Sequence, residues 1–512
     1  MRLEQRKKFN LIIFSLLFLT LILRLPSFFE PPWSTDEGIY AASARLILKK
    51  RALPYLDFWD NKPPGIFLVF TIAEILSQVT KISLSFILDS INLLNALFLV
   101  LLIGKITKKL FPRIKDKTLF FSSLIFLLGF NLPFWEGNLF NAENIFLPFS
   151  TLTIYLLLYQ EKKKNIFAAG FFLALALLIK QVVLAEFILA CTLLLWPLPQ
   201  QKNNNSFTPK QQLKRISTFL IGFLLPWLAA FTLMLTMHNL KAFFAATISY
   251  PFFYSRINLS LEDNLILWGL RLFLIGTSIF LYRFHRGAVS FSLLWLTLDL
   301  ILISITLRPF THYFLHLLPP LSLASANFSS SVAQQKIIPL KGFRILIGMI
   351  IFFLIFLSPL NLKWRLIPSV PYHFDYWQYW PNFIAFATGQ KNLNQFQTLF
   401  RAQREWREEV EAVLKNQEPG TVFILAGNNE PWLYYQLIKQ NFTPSTPYLA
   451  SFYWEILPQG KKKLFQALEK NKTDYLILGT KFTPPELISS ELFSFYTPIS
   501  KKTTYTIWQY QN

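Results

Sequence analysis

The chain has 512 residues, of which 53% are hydrophobic, and its mean hydropathy is +0.38. This composition is too apolar for an ordinary soluble enzyme. The net charge of +22 comes from short basic clusters that separate apolar runs, a placement that encodes orientation in membrane proteins and argues against a nucleic-acid partner. A single cysteine, Cys191, excludes a disulfide framework. The sequence therefore predicts a polytopic α-helical membrane protein.

Apolar runs of nearly twenty residues recur along the chain, and each can cross a hydrocarbon core of about 30 Å. They predict about eleven transmembrane helices, near 10–25, 83–104, 118–135, 143–160, 166–180, 182–198, 217–237, 264–282, 288–307, 312–328 and 343–360. Basic residues precede the first run as in a signal peptide, but no small-residue cleavage site follows it. We therefore expect an uncleaved first helix.

Every second connection between these runs is basic. The clusters fall within 105–117, 162–164, 202–215, 283–286 and 336–344. Because cytoplasmic loops carry the excess of lysine and arginine, this parity predicts a cytoplasmic N-terminus. It places 26–82, and everything after about 361, outside an inner or plasma membrane.

The amino-acid composition changes along the chain, and these changes predict a transmembrane domain, a linker and a second domain. Residues 1–360 form the transmembrane domain, 361–394 form an interfacial linker rich in Trp, Tyr and Pro, and 395–512 form a small extracytoplasmic α/β domain. In that last part, helical patterns at 401–415 and 430–439 alternate with short buried strands at 421–426 and 475–478.

The large first outer loop, 26–82, has structure of its own. A helix is predicted over 39–50, with Arg45, Lys49 and Lys50 on its polar side. The apolar stretch 65–79 is short for a span and predicts a helix that lies in the membrane interface, with Pro63-Pro64 at its start.

Ionisable residues near a bilayer are costly and usually functional. Five polar groups fall on the predicted outer face: Asp36, Glu37 and Lys62; Asn138, Asn141 and Glu143; Lys180 and Gln181; Tyr250, Tyr254 and Arg256; and Arg308, His312, Tyr313 and His316. Phosphate prefers lysine, arginine or helix N-termini, whereas carboxylates suit a general base. The pattern predicts a site for transfer or binding of a lipid-linked anion.

Two motifs then carry a resemblance to a known family. Asp36-Glu37-Gly38-Ile39-Tyr40-Ala41 after the first span, and Lys62-Pro63-Pro64 before an apolar helix, resemble the integral-membrane GT-C glycosyltransferases. The similarity is to the group of protein O-mannosyltransferases, aminoarabinose transferases and Rgt-like transferases. A later segment, from Arg308 through His312 and Tyr313 to Pro319-Pro320, is similar to a late-helix segment of that group. The resemblance covers roughly 1–330.

The resemblance implies a polyprenyl-phosphate sugar donor, inversion at the anomeric centre, and transfer to a hydroxyl or amine of a lipid, polysaccharide or protein. It implies Asp36 as the catalytic acid/base residue, with Glu37 beside it, and Lys62 as a ligand of the donor phosphate. We expect one or more of Lys180, Arg256 and Arg308 to share that phosphate. The further residues expected at the substrate are Tyr40, Asn61, Glu143, Tyr250, His312 and Tyr313.

The chain also departs from this group. Aminoarabinose transferases tend to have Arg two residues after the Asp-Glu pair, where this chain has Ile39, and Glu before Lys-Pro-Pro, where it has Asn61. The donor sugar could therefore equally be a hexose or an amino sugar. No cofactor is implied, although Asp36 and Glu37 together could hold a divalent cation.

Several of these residues have a structural alternative. Asp36 and Glu37 suit the N-cap and first turn of a helix, and Glu143 suits the cap of the fourth span. Lys62 could be a snorkelling lysine, and Lys180 and Arg256 could be interface anchors. His312 and His316, spaced i,i+4, could be metal ligands, although contact of His312 with phosphate or sugar fits better.

Two other functions remain open from the sequence. A lipid-linked oligosaccharide flippase or polymerase would also be polytopic and basic, but it should have polar residues through the bundle and on both faces. A secondary transporter should show inverted repeats and helices broken by Gly or Pro at mid-membrane, and the sequence shows neither.

Overall fold

The structure is a computed structural model. It describes residues 3–112, 114–159, 162–198, 208–251, 261–284, 287–306, 310–332, 376–403, 405–426, 430–453, 460–481, 483, 487 and 491–511. The chain divides into two compact units. Unit 1 comprises Met1–Leu25, Asp89–Thr232 and Pro251–Pro371, and unit 2 comprises Pro26–Leu88, Leu233–Tyr250 and Tyr372–Asn512.

The described part of the chain is mostly helical. In chain order the α-helices are α1 Leu3–Arg24, α2 Thr35–Lys50, α3 Gly65–Thr80, α4 Leu84–Leu110, α5 Asp116–Asn131, α6 Ala142–Leu157, α7 Lys163–Leu177, α8 Leu184–Leu195, α9 Pro209–Thr236, α10 Leu240–Phe244, α11 Leu261–Phe284, α12 Ala288–Ile303, α13 Leu318–Val332, α14 Tyr376–Ala387, α15 Leu393–Gln397, α16 Glu405–Leu414, α17 Glu430–Lys439 and α18 Gly460–Asn471.

A helix lies at each of the first ten predicted spans, and the eleventh, 343–360, lies outside the described residues. By length and composition, three helices in the described part can cross a membrane: Lys7–Phe29, Leu84–Leu110 and Pro209–Thr236. At 1.5 Å per residue, α4 is about 40 Å long, which exceeds a hydrocarbon core of about 30 Å. The number of eleven crossings therefore stays a prediction.

These long helices keep large apolar side chains on their outer surface. Exposed examples are Leu11 and Phe14 on α1, Leu94 on α4, and Leu224 and Leu228 on α9. A water-soluble surface rarely presents such side chains in continuous stripes, whereas lipid tails solvate them.

The first helix of unit 2, α2, begins four residues earlier than predicted. Its N-cap is Ser34, whose hydroxyl accepts the backbone N–H of Glu37 at 3.3 Å, so Asp36 and Glu37 lie in the first turn. A Cβ at Gly38 would lie 2.9 Å from the backbone nitrogen of Trp432, closer than real Cβ atoms come. Glycine at 38 therefore lets α17 pack directly on α2.

The polar side predicted for α2 is partly wrong, because Arg45 is buried. Its guanidinium makes an ion pair with Glu74 of α3 at 2.7 Å and stacks 3.5 Å from the ring centre of Tyr435 in α17. The helix expected over 65–79 is confirmed as α3, and its N-cap is Pro64. Arg45 thus joins three helices of unit 2, a set that helical periodicity alone does not reveal.

The C-terminal part of unit 2 contains a five-stranded sheet with strand order β2-β1-β3-β5-β4. The strands are β1 Thr421–Leu425, β2 Thr443–Pro444, β3 Tyr475–Gly479, β4 Tyr496–Lys501 and β5 Tyr505–Tyr510. Strand β1 pairs in parallel with β2 and β3, whereas β5 is antiparallel to β3 and β4. The predicted α/β character and both predicted strands are confirmed.

The hairpin of β4 and β5 was not predicted. Strand β4 has a single buried residue and β5 has two, so neither strand forms a continuous apolar run and the strand signal is weak. Tyr496 and Trp508 complete the apolar core that Phe423 and Leu476 share with Leu468 of α18.

Candidate active site

The two loop motifs meet in unit 2. The Lys62 ammonium lies 3.8 Å from Asp36 Oδ2 and 3.5 Å from Asp60 Oδ1, between the two carboxylates. The Tyr40 hydroxyl donates to Asp36 Oδ2 at 3.4 Å, one turn further along α2. Lys62 is therefore paired with acids, which differs from the exposed position of a snorkelling lysine.

The backbone of the Lys62 turn is fixed by hydrogen bonds. Asp60 Oδ1 accepts the N–H of Lys62 at 2.9 Å, and the Tyr55 hydroxyl donates to the Lys62 carbonyl at 2.9 Å. The other Asp60 oxygen accepts the hydroxyl of Tyr453 at 2.9 Å. Asp60 is fully buried, so it positions Lys62 and is not accessible to a substrate.

Exposure separates the three charged groups. The side chain of Asp36 is 27% exposed and that of Lys62 is 14% exposed, whereas that of Asp60 is 0% exposed. Burial by itself lowers the pKa of Lys62, but Asp36 and Asp60 together raise it well above the usual lysine value. Lys62 is therefore cationic throughout the neutral pH range.

Aromatic rings line one side of this cluster. Trp59 meets Tyr250 edge-to-face with ring centres 4.6 Å apart, and Tyr453 at 4.9 Å. Its backbone N–H donates to the Pro447 carbonyl at 2.8 Å. Burial raises the pKa of Tyr40 and of Tyr453 well above the usual tyrosine value, so both hydroxyls stay protonated. Tyr250, predicted as a substrate residue, is thus brought beside the Lys62 loop.

The remaining predicted residues of unit 2, Glu37 and Asn61, are sequence neighbours of the cluster residues. Glu37 is buried in the first turn of α2, and Asn61 is half-buried between Asp60 and Lys62. Their roles at a substrate stay predictions.

Unit 1 brings together another part of the predicted set. Lys180 makes a buried ion pair with Glu143 in the first turn of α6, and its ammonium lies 4.1 Å from the ring centre of Tyr313. These residues are 37 and more positions apart in sequence. Glu143 is therefore the charge partner of Lys180, and this pair is costly to break because either residue alone would be a buried uncompensated charge.

His312 lies in the same unit and contacts a residue that the sequence analysis missed. Its Nδ1 lies 3.1 Å from Glu136 Oε2, and the Thr311 hydroxyl donates to the other Glu136 oxygen. Asn141 occupies the N-cap position of α6, but its side chain makes no capping hydrogen bond. Its amide instead donates to Glu136 Oε2 at 3.1 Å.

His312 and His316, which at i,i+4 spacing could be metal ligands on one helix face, point in different directions. They lie in a 3₁₀ helix, Thr311–Leu317, and α13 begins only at Leu318. With three residues per turn, side chains four positions apart point about 120° apart. His312 accordingly contacts Glu136, whereas His316 contacts Glu186 at 2.7 Å.

Two predicted phosphate ligands, Arg256 and Arg308, lie outside the described residues. Of the groups that the sequence analysis missed, Asp60 had a signal, because an Asp two residues before a lysine can accept its N–H in a tight turn. Tyr453 and Glu136 had none, since each reaches its partner from a distant part of the chain.

The fold and the cluster together define a mostly helical protein with a carboxylate–lysine site in the loop after its first apolar helix. It shares its fold with ArnT from Cupriavidus metallidurans, solved bound to undecaprenyl phosphate and in the apo state. The TM-scores are 0.56 and 0.51, the identity is 12%, and each alignment covers 97% of both chains. At this identity the alignments establish a shared fold with ArnT.

A third solved structure, the oligosaccharyltransferase of Archaeoglobus fulgidus, aligns with 95% of this chain and 73% of its own at 12% identity. Its TM-score of 0.45 is too low to establish a common fold. No protein-family model and no curated protein matches the chain.

Proposed function

We propose that the protein is an inverting glycosyltransferase that moves a sugar from a polyprenyl-phosphate donor to a hydroxyl or amine acceptor. The observation that carries the proposal is the pair of Asp36 and Lys62, the two partly exposed members of a cluster whose third charge, Asp60, is buried. The fold shared with ArnT, which was solved with undecaprenyl phosphate, supports a lipid-linked donor.

In this reaction Asp36 is the general base. Its carboxylate takes the proton of the acceptor hydroxyl or amine, and the acceptor atom attacks the anomeric carbon. The bond between that carbon and the phosphate oxygen breaks, and the electron pair leaves with the polyprenyl phosphate. A carboxylate within hydrogen-bond reach of the proton is what such a step requires.

Lys62 stabilises the phosphate. Its contacts with Asp36 and Asp60, at 3.8 and 3.5 Å, are longer than an N–H···O hydrogen bond of about 2.7–3.2 Å, so its ammonium can turn a donor toward a phosphate oxygen. Because the two acids outnumber this lysine, we expect a second cation at the phosphate.

We also propose eleven membrane crossings, a cytoplasmic N-terminus and an extracytoplasmic 395–512. In a Cys191→Ala background, a membrane-impermeant thiol reagent applied to intact cells should label Lys462→Cys in α18 and not Lys163→Cys at the start of α7. The positive-inside rule is the reason, since Lys163 belongs to a basic connection. The reverse labelling pattern would contradict this orientation.

Mass spectrometry of cell-envelope glycans and glycolipids tests the activity as a whole. Cells without the gene product should lose one sugar from one acceptor, and the wild-type chain should restore it whereas Asp36→Asn should not. Such a loss would name both the sugar and the acceptor. An unchanged envelope under conditions in which the protein is made would count against a transferase.

A further inference from the structure

A second group of ionisable side chains lies in unit 1, and the proposed transferase step gives it no role. Glu186 of α8, Asp299 of α12 and His316 of the 3₁₀ helix are each 0% exposed. One ligand atom from each lies within 4.8 Å of the others. The three residues come from three separate elements, so tertiary packing alone assembles the cluster.

The same ring nitrogen of His316 faces both acids. His316 Nε2 lies 2.7 Å from Glu186 Oε1 and 3.6 Å from Asp299 Oδ1. Among the described residues, both oxygens of Asp299 and the second oxygen of Glu186 make no hydrogen bond of good distance and angle, although the Trp295 indole lies close enough to Asp299 to interact with it. A fully buried carboxylate with unsatisfied oxygens is costly, by roughly several kcal/mol if it is ionised.

Two carboxylates face one imidazole in this cluster, so the charges balance only if one acid keeps a proton or a further cation is bound. One protonated imidazole can neutralise a single carboxylate, which leaves the other ionised and unpaired or forces it to keep a proton. A divalent cation would neutralise both carboxylates while the imidazole stays neutral. It would also coordinate the oxygens of Asp299 and Glu186 that make no hydrogen bond of good geometry.

We propose that Glu186, Asp299 and His316 bind a divalent transition-metal ion of the zinc type. An imidazole ligand disfavours magnesium and calcium, which prefer oxygen, whereas nitrogen and carboxylate ligands suit zinc, manganese and iron. Three protein ligands plus a second carboxylate oxygen complete a four-coordinate site without open coordination to solvent.

The required movements are small for the two pairs that include His316, and the ligand atoms of Glu186 and Asp299 start within 4.8 Å of each other. Ligand atoms about 2.0–2.1 Å from a tetrahedral ion lie about 3.3 Å apart, close to the present separation of His316 and Asp299. The separation of His316 and Glu186 would open by about half an ångström from a hydrogen-bonded distance. The ion would join α8, α12 and the 3₁₀ helix, and this role is independent of the proposed transferase activity.

Elemental analysis of the full chain, purified in detergent without chelator, tests the site. We expect about one zinc, manganese or iron ion per chain after exposure to these metals, and a loss of most of it in Asp299→Asn, Glu186→Gln and His316→Gln. The matched control is Glu136→Gln, which alters a similar acid–histidine pair of the same unit and should keep the metal. A chelator should lower the Tm of the wild-type chain more than that of Asp299→Asn.

If the three variants do not fold, X-ray absorption of the wild-type protein replaces them, and it should show nitrogen and oxygen ligands at about 2.0 Å. A wild-type chain that binds none of the three metals would overturn the proposal. So would metal content that all three folded variants retain, or a wild-type Tm that a chelator leaves unchanged.

Discussion

Replacing Asp36 by asparagine should lower kcat at least about a hundredfold, because proton transfer to a positioned base typically contributes ~10²–10⁴-fold. The substitution preserves size and removes the charge. Lys62 keeps Asp60 as its second charge partner at 3.5 Å, so the protein should stay folded and inserted in the membrane. Turnover of a polyprenyl-phosphate sugar by the purified chain is the measurement.

The matched control for this prediction is Asp57→Asn. Asp57 lies in the same loop, where it accepts the backbone N–H of Leu53 at 2.6 Å in an exposed hydrogen bond, and the acids paired with Lys62 are Asp36 and Asp60. It should change kcat little. Glu37→Gln should cost less than Asp36→Asn, unless the pair jointly holds a divalent cation, which a chelator titration would reveal. Near-normal turnover in Asp36→Asn, with loss of activity in Glu37→Gln or Glu143→Gln, would move the base to that residue.

Replacing Lys62 by alanine should raise the KM for the donor by about tenfold to a hundredfold, since a hydrogen bond to a charged group contributes roughly 1.5–3 kcal/mol. The effect falls on KM if the contact with phosphate is equally strong in the ground state and the transition state. A fall in kcat as well would mean that Lys62 also stabilises the charge that develops on the leaving phosphate.

Lys62→Ala should also destabilise the fold, and a second substitution at Asp60 should remove this effect. Without the ammonium, Asp60 is a buried carboxylate with no cation beside it, at a cost of about 3–5 kcal/mol for a broken buried pair. Lys62→Met combined with Asp60→Asn lacks that charge and should recover stability without recovering donor affinity. Lys50→Ala, an exposed lysine of α2, is the control and should leave KM unchanged. If both Lys62 variants keep the wild-type KM and kcat, Lys62 does not contact the donor phosphate.

Much of the fold was predictable because helices and buried strands leave patterns of apolar residues over short stretches of sequence. Apolar runs predicted helices at the first ten span positions, and two continuous apolar stretches predicted β1 and β3. The sequence placed Asp36 and Lys62 in one loop after the first apolar helix, but their contact came only with the structure. Burial of Arg45 was not, since its partners Glu74 and Tyr435 come from other elements.

The sequence by itself predicted the class of protein, helices at the first ten span positions and the two residues on which the proposed chemistry depends. Only the tertiary structure decided their surroundings: Tyr453 reaches Asp60 across 393 positions, and His316 meets Glu186 across 130. The physical reason is that local periodicity reports which face of an element is buried and not what covers it. A buried charge must find its partner wherever the packed chain places one.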